Sequence, residues 1–427
     1  MSAEARYRAL KGMKDILPPD IHLWQKIETA VREVFGAYGF QEIRTPVAEA
    51  TDIFVRSIGE TTDIVEKEMY TFEDKAGRSI SLRPEGTASV VRSFVENRLY
   101  NLPSPQKFYY VGPMFRYERP QSGRYRQFYQ TGVEAFGSPH PDMDAEVIAM
   151  LGRLLGSVGL PELVFQVNSI GCEACRPGYK ETLLTFFGDR LEGLCADCKR
   201  RYSQNPLRIL DCKVPGCVEL RQGAPRITDH LCADCGSHFE GLRRLLDLLG
   251  LSYEVNPDMV RGLDYYTRTT FEVTSGSLGA QNAVAAGGRY DRLVREFGGP
   301  ETPAVGFAIG MERIVELLHQ SAGDVVPAPD IFIAAMGGEA GEQSFLMAQQ
   351  IRDRGLWAER GDPASSLKSQ MRRADRIAAR HVFIIGEEEL RSGIVRWKRL
   401  SDSSQGEMPL SDAAESAVRL RRNSLSS

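Results

Sequence analysis

Apolar residues at Trp24, Ile27, Val31, Val34 and Phe35 recur at helical spacing, which predicts a helix over Leu23–Tyr38 that Gly39 stops. The period then shifts toward two. "FQEIRTPV" reads as a strand, "MYTFED" and "SISLRPE" as two strands joined by "KAG", and Thr87–Asn97 as a helix. "KFYYVGPMFRYERP" and "RQFYQTGVEAFG" read as strands around the loop "RPQSGRYR"; "DMDAEVIAMLGRLLGSVGL" is helical and "LVFQVNSIG" extended. Residues 172–235 have few periodic apolar positions and several Pro and Gly, so they read as a small inserted module. "FEGLRRLLDLLGL" returns to helix. Val260–Val273 and Gln281–Ala286 read as strands, and "AVGFAIGMERIVELLHQ" as a strand running into a helix. "SAGDVVPAPD" is a linker by composition. Beyond it, "DIFIAAM", "WAER", "HVFIIG" and "GIVRWKRL" are short strands alternating with helical patterns near 340–354 and 365–379, which predicts a small α/β domain. The polar tail "RRNSLSS" is expected to fray, and the chain has no internal repeat.

Composition narrows this picture at two points. A net charge of −4 over 427 residues excludes a general electrostatic nucleic-acid binder, so any polyanion site must be a local basic patch. The start, "MSAEARYRALKGMKDILPPD", lacks a secretory apolar segment, and no run of ~18 apolar residues could span a bilayer. The expected compartment is the cytoplasm, with no membrane partner. All 8 cysteines fall between Cys172 and Cys235. Without a secretory signal a disulfide framework is disfavoured, and a metal module is the sharper reading. The pairs Cys172/Cys175, Cys195/Cys198, Cys212/Cys217 and Cys232/Cys235 suit two structural zinc sites of four thiolates each. Spacing leaves the pairing open between two nested quartets (Cys172, Cys175, Cys232 and Cys235 outside) and two sequential ones. Reduced thiols without metal are the plain alternative.

Candidate chemistry is concentrated in a few stretches. In "QFYQTGVEAFG", alternation puts Phe128, Gln130, Gly132, Glu134 and Phe136 on one face, with the glycine leaving room for a ligand. A wet sheet face carrying cross-strand ion pairs would give the same pattern. "FRYE" sets Arg116 and Glu118 on a common face, and "ERPQSGRYR" holds Arg119, Arg124 and Arg126, residues suited to bidentate phosphate binding. "RPEGT" offers Glu85 and Thr87 either to a substrate ammonium or to a plain helix start. "RGLDYYTRTTFEV" places Arg261, Tyr265 and Tyr266 before a β-branched run, where such groups are costly to bury without partners. The glycine pair of "AAGGRYD" permits close backbone approach. In "AVGFAIGMER", Gly306 and Gly310 bare one sheet face beside Arg313, where a flat ring could lie under a guanidinium.

Each stretch is weak alone, but their order is informative. "FRYERPQSGRYRQFYQ" and "GFAIGMERI" resemble motifs 2 and 3 of class II aminoacyl-tRNA synthetases, while "RGLDYYTRTTFEV", "AGGRYD", "KGMKDILP" and "SLKSQMRRADRIAARHVFIIGEEEL" resemble stretches of the histidyl-tRNA synthetase family. The resemblance implies an α+β catalytic domain over 1–325 with an antiparallel sheet flanked by helices. It also implies the inserted Cys-rich module at 172–245 and a C-terminal anticodon-binding-like α/β domain at 328–427. It implies histidine activation by ATP with magnesium, then transfer to the 3′ end of the tRNA for histidine. Arg261 and Arg116 would stabilise the transition state. Glu85, Thr87 and Gln130 would hold the ammonium of L-histidine, Glu134 and Tyr266 would bracket the imidazole, and Tyr265 would line the pocket. ATP would meet Arg116, Glu118, Arg124, Gly310 and Arg313, and the tRNA acceptor end Arg119, Arg124 and Arg126. Phe40–Ile64 resembles the family's dimer motif, which implies a homodimer.

Lys368, Arg372, Arg376 and Arg380 recur every fourth residue, with Arg373 beside them, and predict a basic helix ridge toward tRNA; a solvated charged face fits equally. Two other functional classes compete. A synthetase-like regulatory subunit of histidine biosynthesis lacks the anticodon domain and tends to lose the catalytic stretches, both of which this chain keeps. A zinc-containing RNA-binding module would leave Glu85 and Glu134 without a purpose.

Overall fold

The computed structural model describes residues 7–427 apart from 60, 61, 63, 121, 122, 161, 162, 261, 262, 264, 279–281, 322–326, 426 and 427. Arg261, one of the two expected catalytic arginines, therefore lies outside the described residues. Contacts divide the chain into Met1–Asp324 and Val325–Ser427.

The first unit carries strands β1 (Gln41–Glu42), β2 (Ala48–Ala50), β3 (Tyr70–Glu73), β4 (Ser79–Leu82), β5 (Gln106–Phe115), β6 (Gln127–Phe136), β7 (Leu163–Ser169), β8 (Glu254–Val255), β9 (Thr267–Ser275), β10 (Ala283–Arg289) and β11 (Ala304–Gly310). Eight of them form one sheet in the order β1-β5-β6-β11-β10-β9-β7-β8. The six inner strands pair antiparallel, and a two-residue strand joins each edge in parallel. "FQEIRTPV" thus yields only the short β1 rather than one full strand, because the chain turns away after Glu42 and re-enters as β2 in a separate three-stranded sheet.

Each sheet face has its own cover. The odd residues of β6, Val133 and Ala135, pack under the helices Ile21–Ala37 and Pro141–Val158. The first of these buries Trp24, Ile27, Val31, Val34 and Phe35, the five residues that its period predicts, and Trp24 meets Tyr129 edge-on at 5.2 Å. It ends where Gly39, at φ +79°, adopts a conformation open mainly to glycine. The even residues face a second cluster, where Phe136 stacks on Phe94 at 4.2 Å.

Between the helices and the sheet sits one fully buried ion pair. Arg289, with no exposed surface, donates to Asp144 Oδ2 at 3.2 Å through Nε and to Asp144 Oδ1 at 2.5 Å through Nη2; it also donates to the carbonyls of Ser138 and His140 at 2.7 and 3.1 Å. Thr269 donates to Asp144 Oδ2 at 2.7 Å. The arginine of "AGGRYD" is therefore an internal bracket, not a ligand arm. Asp144→Ala strands that guanidinium without its counter-charge, and thermal or urea unfolding is expected to show a loss of about 3 kcal/mol.

The cysteine region is helical, contrary to its weak periodicity, with helices Arg176–Gly188, Ala196–Gln204 and Pro215–Leu220 around a small core of Tyr179, Leu183, Phe187 and Ile209. The helix Ala233–Leu248 leaves it again, carrying Phe239, Leu242 and Leu246 into the main core.

In the second unit, β12 (Ile331–Ala335), β13 (Ala358–Arg360), β14 (His381–Ile385), β15 (Ile394–Arg399) and β16 (Gln405–Pro409) form a five-stranded sheet in the order β13-β12-β14-β15-β16. Strand β16 and the helix Ala413–Leu425, which runs into the tail expected to fray, are not among the elements read from the sequence. The basic ridge is shorter than its spacing suggests. The helix ends at Arg376, so Arg380 lies beyond it and reaches Asp330 at 3.9 Å, while Lys368, Arg372 and Arg376 stay exposed along the helix. Arg373 is drawn to Glu359 at 3.7 Å.

Candidate active site

Two adjoining compartments lie over the even face of β6. The inner one is buried and polar. Glu134, 1% exposed, accepts from the Thr87 hydroxyl at 2.7 Å on Oε1 and from the Tyr290 phenol on Oε2. Burial pushes its carboxyl up to about 8, although those two hydrogen bonds favour the charged form. Tyr265 and Tyr266 lie side by side with their rings tilted and 4.8 Å between centres, and Tyr265 meets Tyr290 edge-on at 5.6 Å. Burial raises the Tyr110, Tyr265 and Tyr290 phenols well above their ordinary value. Gln130 is 9% exposed, and its buried Oε1 has no hydrogen-bond partner among the described residues.

Glycine has a different purpose here from the one its spacing suggests. A Cβ on Gly132 would strike the Tyr110 phenol, so the space over that glycine is taken by a protein side chain and not kept for a ligand. A Cβ on Gly306 would collide with the Glu134 carboxylate. Gly310, unlike these two, opens onto empty space.

Glu85 is also buried. Its two oxygens accept from the backbone N–H groups of Thr87 and Ala88 at 2.7 and 2.8 Å, at the start of the helix Thr87–Glu96. The helix-start reading of "RPEGT" is thus realised, and each oxygen keeps a second lone pair. Arg83 braces the same turn, donating to Pro113 O at 2.9 Å and Thr45 O at 3.0 Å.

The outer compartment is an open cavity of about 230 Å³. Arg116, Glu118, Arg124 and Arg313 ring it, Phe128 and Gln130 connect it to the inner pocket, and Ala308 and Gly310 floor it. Arg116 is fixed from three sides. Its Nε donates to Pro84 O at 2.8 Å, its guanidinium lies 5.3 Å from the Phe128 ring centre, and Glu118 is 3.9 Å away. Arg124 pairs with the other oxygen of Glu118 at 2.9 Å. Arg313 donates to Ala283 O. Glu312 accepts from Tyr129 N at 2.9 Å, and burial pushes its carboxyl up to about 7. In the loop, Arg119 is exposed, whereas Arg126 stacks on Tyr117 at 3.7 Å and its backbone N–H donates to Gly12 O at 2.7 Å. "KGMKD" near the start therefore supports this loop.

The raised carboxyls set a pH dependence of folding. Glu134 holds a proton when folded up to about 8, while the unfolded group gives it up near 4.5. Between those values the folded state binds more protons, so stability falls as pH rises. Denaturation from pH 5 to 8 should show the wild type losing stability that Glu134→Gln retains.

The cysteines form two groups, Cys172/Cys175/Cys232/Cys235 and Cys195/Cys198/Cys212/Cys217, the nested arrangement. Sulfur separations of 3.7 Å (Cys172–Cys175), 3.9 Å (Cys172–Cys232) and 3.9 Å (Cys195–Cys212) are far from a disulfide. They match the roughly 3.8 Å edge of a tetrahedron with Zn–S of about 2.3 Å. Backbone N–H groups of Cys195 and Cys232 donate to Cys217 and Cys175 sulfurs at 3.2 and 3.1 Å.

A family model described as histidyl-tRNA synthetase matches residues 12–172 and 221–314, and one described as an anticodon binding domain matches 330–420. The chain is 52% identical over 410 residues to the histidine–tRNA ligase of Thermodesulfovibrio yellowstonii, covering 96% of this chain and 98% of that protein. It is 52% identical over 401 residues to that of Geobacter sulfurreducens, covering 94% and 97%. The chain belongs to the histidyl-tRNA synthetase family. The apo S. aureus histidyl-tRNA synthetase crystal structure superposes with a TM-score of 0.80 at 37% identity, covering 96% of this chain and 99% of that one. A Bacillus halodurans protein described as an ATP phosphoribosyltransferase regulatory subunit/histidyl-tRNA synthetase has a TM-score of 0.67 at 21% identity, which speaks to fold alone. The first family match leaves out 173–220, most of the cysteine module.

The structure thus brings Glu85, Thr87, Gln130, Glu134, Tyr265 and Tyr266 around the inner pocket and Arg116, Glu118, Arg124, Gly310 and Arg313 around the outer one. Sequence reasoning missed Tyr290, Tyr110 and Glu312. Tyr290 stood inside the quoted "AGGRYD", and its place one residue past a strand was the available signal. Tyr110 and Glu312 gave none beyond ordinary core and helix-start patterns.

Proposed function

We propose that this chain activates L-histidine with ATP to histidyl-adenylate, releasing pyrophosphate, and transfers the histidyl group to the 3′ end of its tRNA. The observation that carries the reading is the buried Thr87–Glu134–Tyr290 constellation opening, through Gln130, into an arginine-ringed cavity. An imidazole in the inner pocket donates one N–H to Glu134 and meets Tyr266 across the ring. The buried Gln130 Oε1, the second lone pairs of Glu85 and the Thr87 hydroxyl receive the ammonium. The histidine carboxylate then points toward the outer cavity and attacks the α-phosphorus. Negative charge grows on the phosphoryl oxygens in a loose in-line transition state. Arg116, already held by Pro84 and Phe128, meets that charge without reorganising. Arg261 is assigned the same task from the family resemblance. Arg313 and Arg124 take the remaining phosphates, and Arg119, Arg124 and Arg126 the acceptor end.

Magnesium needs oxygen donors and keeps part of its water shell. The cavity wall offers Glu118 and Glu312, which fit a cation carried in on the phosphates and neutralising them. The two thiolate quartets fit zinc in closed, structural sites. We assign 1–325 to catalysis, with 172–245 inserted, and 328–427 to anticodon binding, with Lys368, Arg372 and Arg376 facing RNA. The unit is a homodimer working in the cytoplasm, where its tRNA is used. Among the described residues no helix is long and apolar enough to cross a membrane.

Histidine-dependent exchange of labelled pyrophosphate into ATP tests the reading. Purified protein with ATP and magnesium should exchange only when histidine is added. Exchange that ignores histidine, or none at all, rejects it in favour of the regulatory or RNA-binding class.

A further inference from the structure

Beside the nucleotide cavity lies a second one, of about 380 Å³, that the family motifs do not account for. Arg124, Ala283 and Arg313 line both, so the two adjoin. Its far wall comes from the cysteine module. Arg201, Lys213 and Asp211 stand there, and the residue between the last two is Cys212, a member of the inner quartet. Four cationic side chains (Arg124, Arg201, Lys213 and Arg313) face two carboxylates (Asp211 and Glu272). The excess is positive, and two of the cations belong to the inserted segment that the family match leaves out.

The backbone around Cys212 has little regular structure of its own. It lies between a 3-10 turn ending at Ile209 and a helix starting at Pro215. The quartet and a side-chain hydrogen bond both hold it. Cys212 lies 3.9 Å from Cys195 in sulfur separation, and Arg221 donates to Cys212 O at 3.4 Å. A metal bound by four thiolates would hold the strip 211–213 as a rigid edge, because metal binding is folding free energy for such a small module.

We infer that the inner quartet, Cys195/Cys198/Cys212/Cys217, is a zinc site that builds one wall of a polyphosphate subsite, in which Lys213 and Arg201 of the module face Arg124 and Arg313 of the nucleotide cavity. The ligand is a phosphate chain, either inorganic pyrophosphate or the phosphate tail of ATP. The inference rests on the activation reaction proposed above and adds a metal-dependent half to its leaving-group side. Lysine and arginine supply charge there without bond making, so the subsite binds and releases and takes no part in proton transfer.

The test uses the full chain. Mass-spectrometric metal analysis should give two zinc ions per chain for the wild type and one for Cys198→Ser. Calorimetric titration with pyrophosphate, magnesium present, should show about tenfold weaker binding for Lys213→Ala, with circular dichroism unchanged, and for Cys198→Ser. In the exchange assay both variants should raise the KM for pyrophosphate while leaving that for histidine within twofold. A matching rise in the KM for ATP places the tail of ATP in the same subsite; an unchanged one assigns the subsite to free pyrophosphate, and both outcomes support the inference. Wild-type protein with no zinc, or Cys198→Ser that keeps two ions, overturns the metal half. Pyrophosphate binding unmoved by Lys213→Ala overturns the subsite, and if that variant shifts only the KM for tRNA the wall is an RNA contact instead. Failure of histidine-dependent exchange in the wild type would sink the activation reading itself, a separate result.

Discussion

Glu134→Gln is expected to lower kcat/KM for histidine by about 10³-fold while moving the KM for ATP little. The substitution keeps the shape but removes the one group that can carry a full negative charge against the imidazole N–H. The pH profile gives a second signature. At pH 7 the empty pocket carries a proton on Glu134, whose carboxyl lies near 8, and free histidine brings a neutral imidazole of pKa about 6.5. The bound pair needs one shared proton, so neither side has to gain or lose any. Above about 8 neither partner carries it, and below about 6.5 both do. Histidine affinity should therefore be greatest between those limits and fall on either side. Glu134→Gln should lose the alkaline limb. A wild-type affinity that keeps rising above pH 8 would contradict the shared proton.

Arg116→Ala is expected to lower the exchange kcat by about 10²–10³-fold with smaller changes in either KM. The reason is preorganisation. A guanidinium anchored at 2.8 Å on Pro84 O and over Phe128 is aimed before substrate arrives. Lysine keeps the charge but cannot make both anchors and still reach, so Arg116→Lys should recover only part of the loss. Pre-steady-state quench measurements of adenylate formation separate this from an effect on product release. Equal losses in binding and rate would make Arg116 a ground-state contact.

Much of this site can be read from the chain, for a physical reason. Period two along "QFYQTGVEAFG" places Gln130 and Glu134 on one face whatever covers it, and the structure keeps that placement. What alternation cannot convey is what stands opposite. The pattern fits a wet face as well as a ligand face, yet Tyr110, Tyr265 and Tyr290 seal it, and they arrive from β5, from the segment before β9 and from the end of β10. The same limit hides Asp144 and Arg289, whose pairing spans 145 positions. Local spacing does better with the cysteines, because thiolate geometry is short-ranged; only the choice of partners needed three dimensions. It does worse with Arg380, where a four-residue rhythm outlasts the helix that ends at Arg376.

The path of Ala233–Leu248 has a practical bearing on protein engineering. Anyone excising the cysteine-bearing lobe over the span that the family resemblance implies, 172–245, would also cut away Phe239 and Leu242, which belong to the main core. A viable shortened enzyme must rejoin the chain ahead of that helix. Grafting the lobe onto another scaffold likewise fails unless the recipient offers a surface for the same apolar side chains.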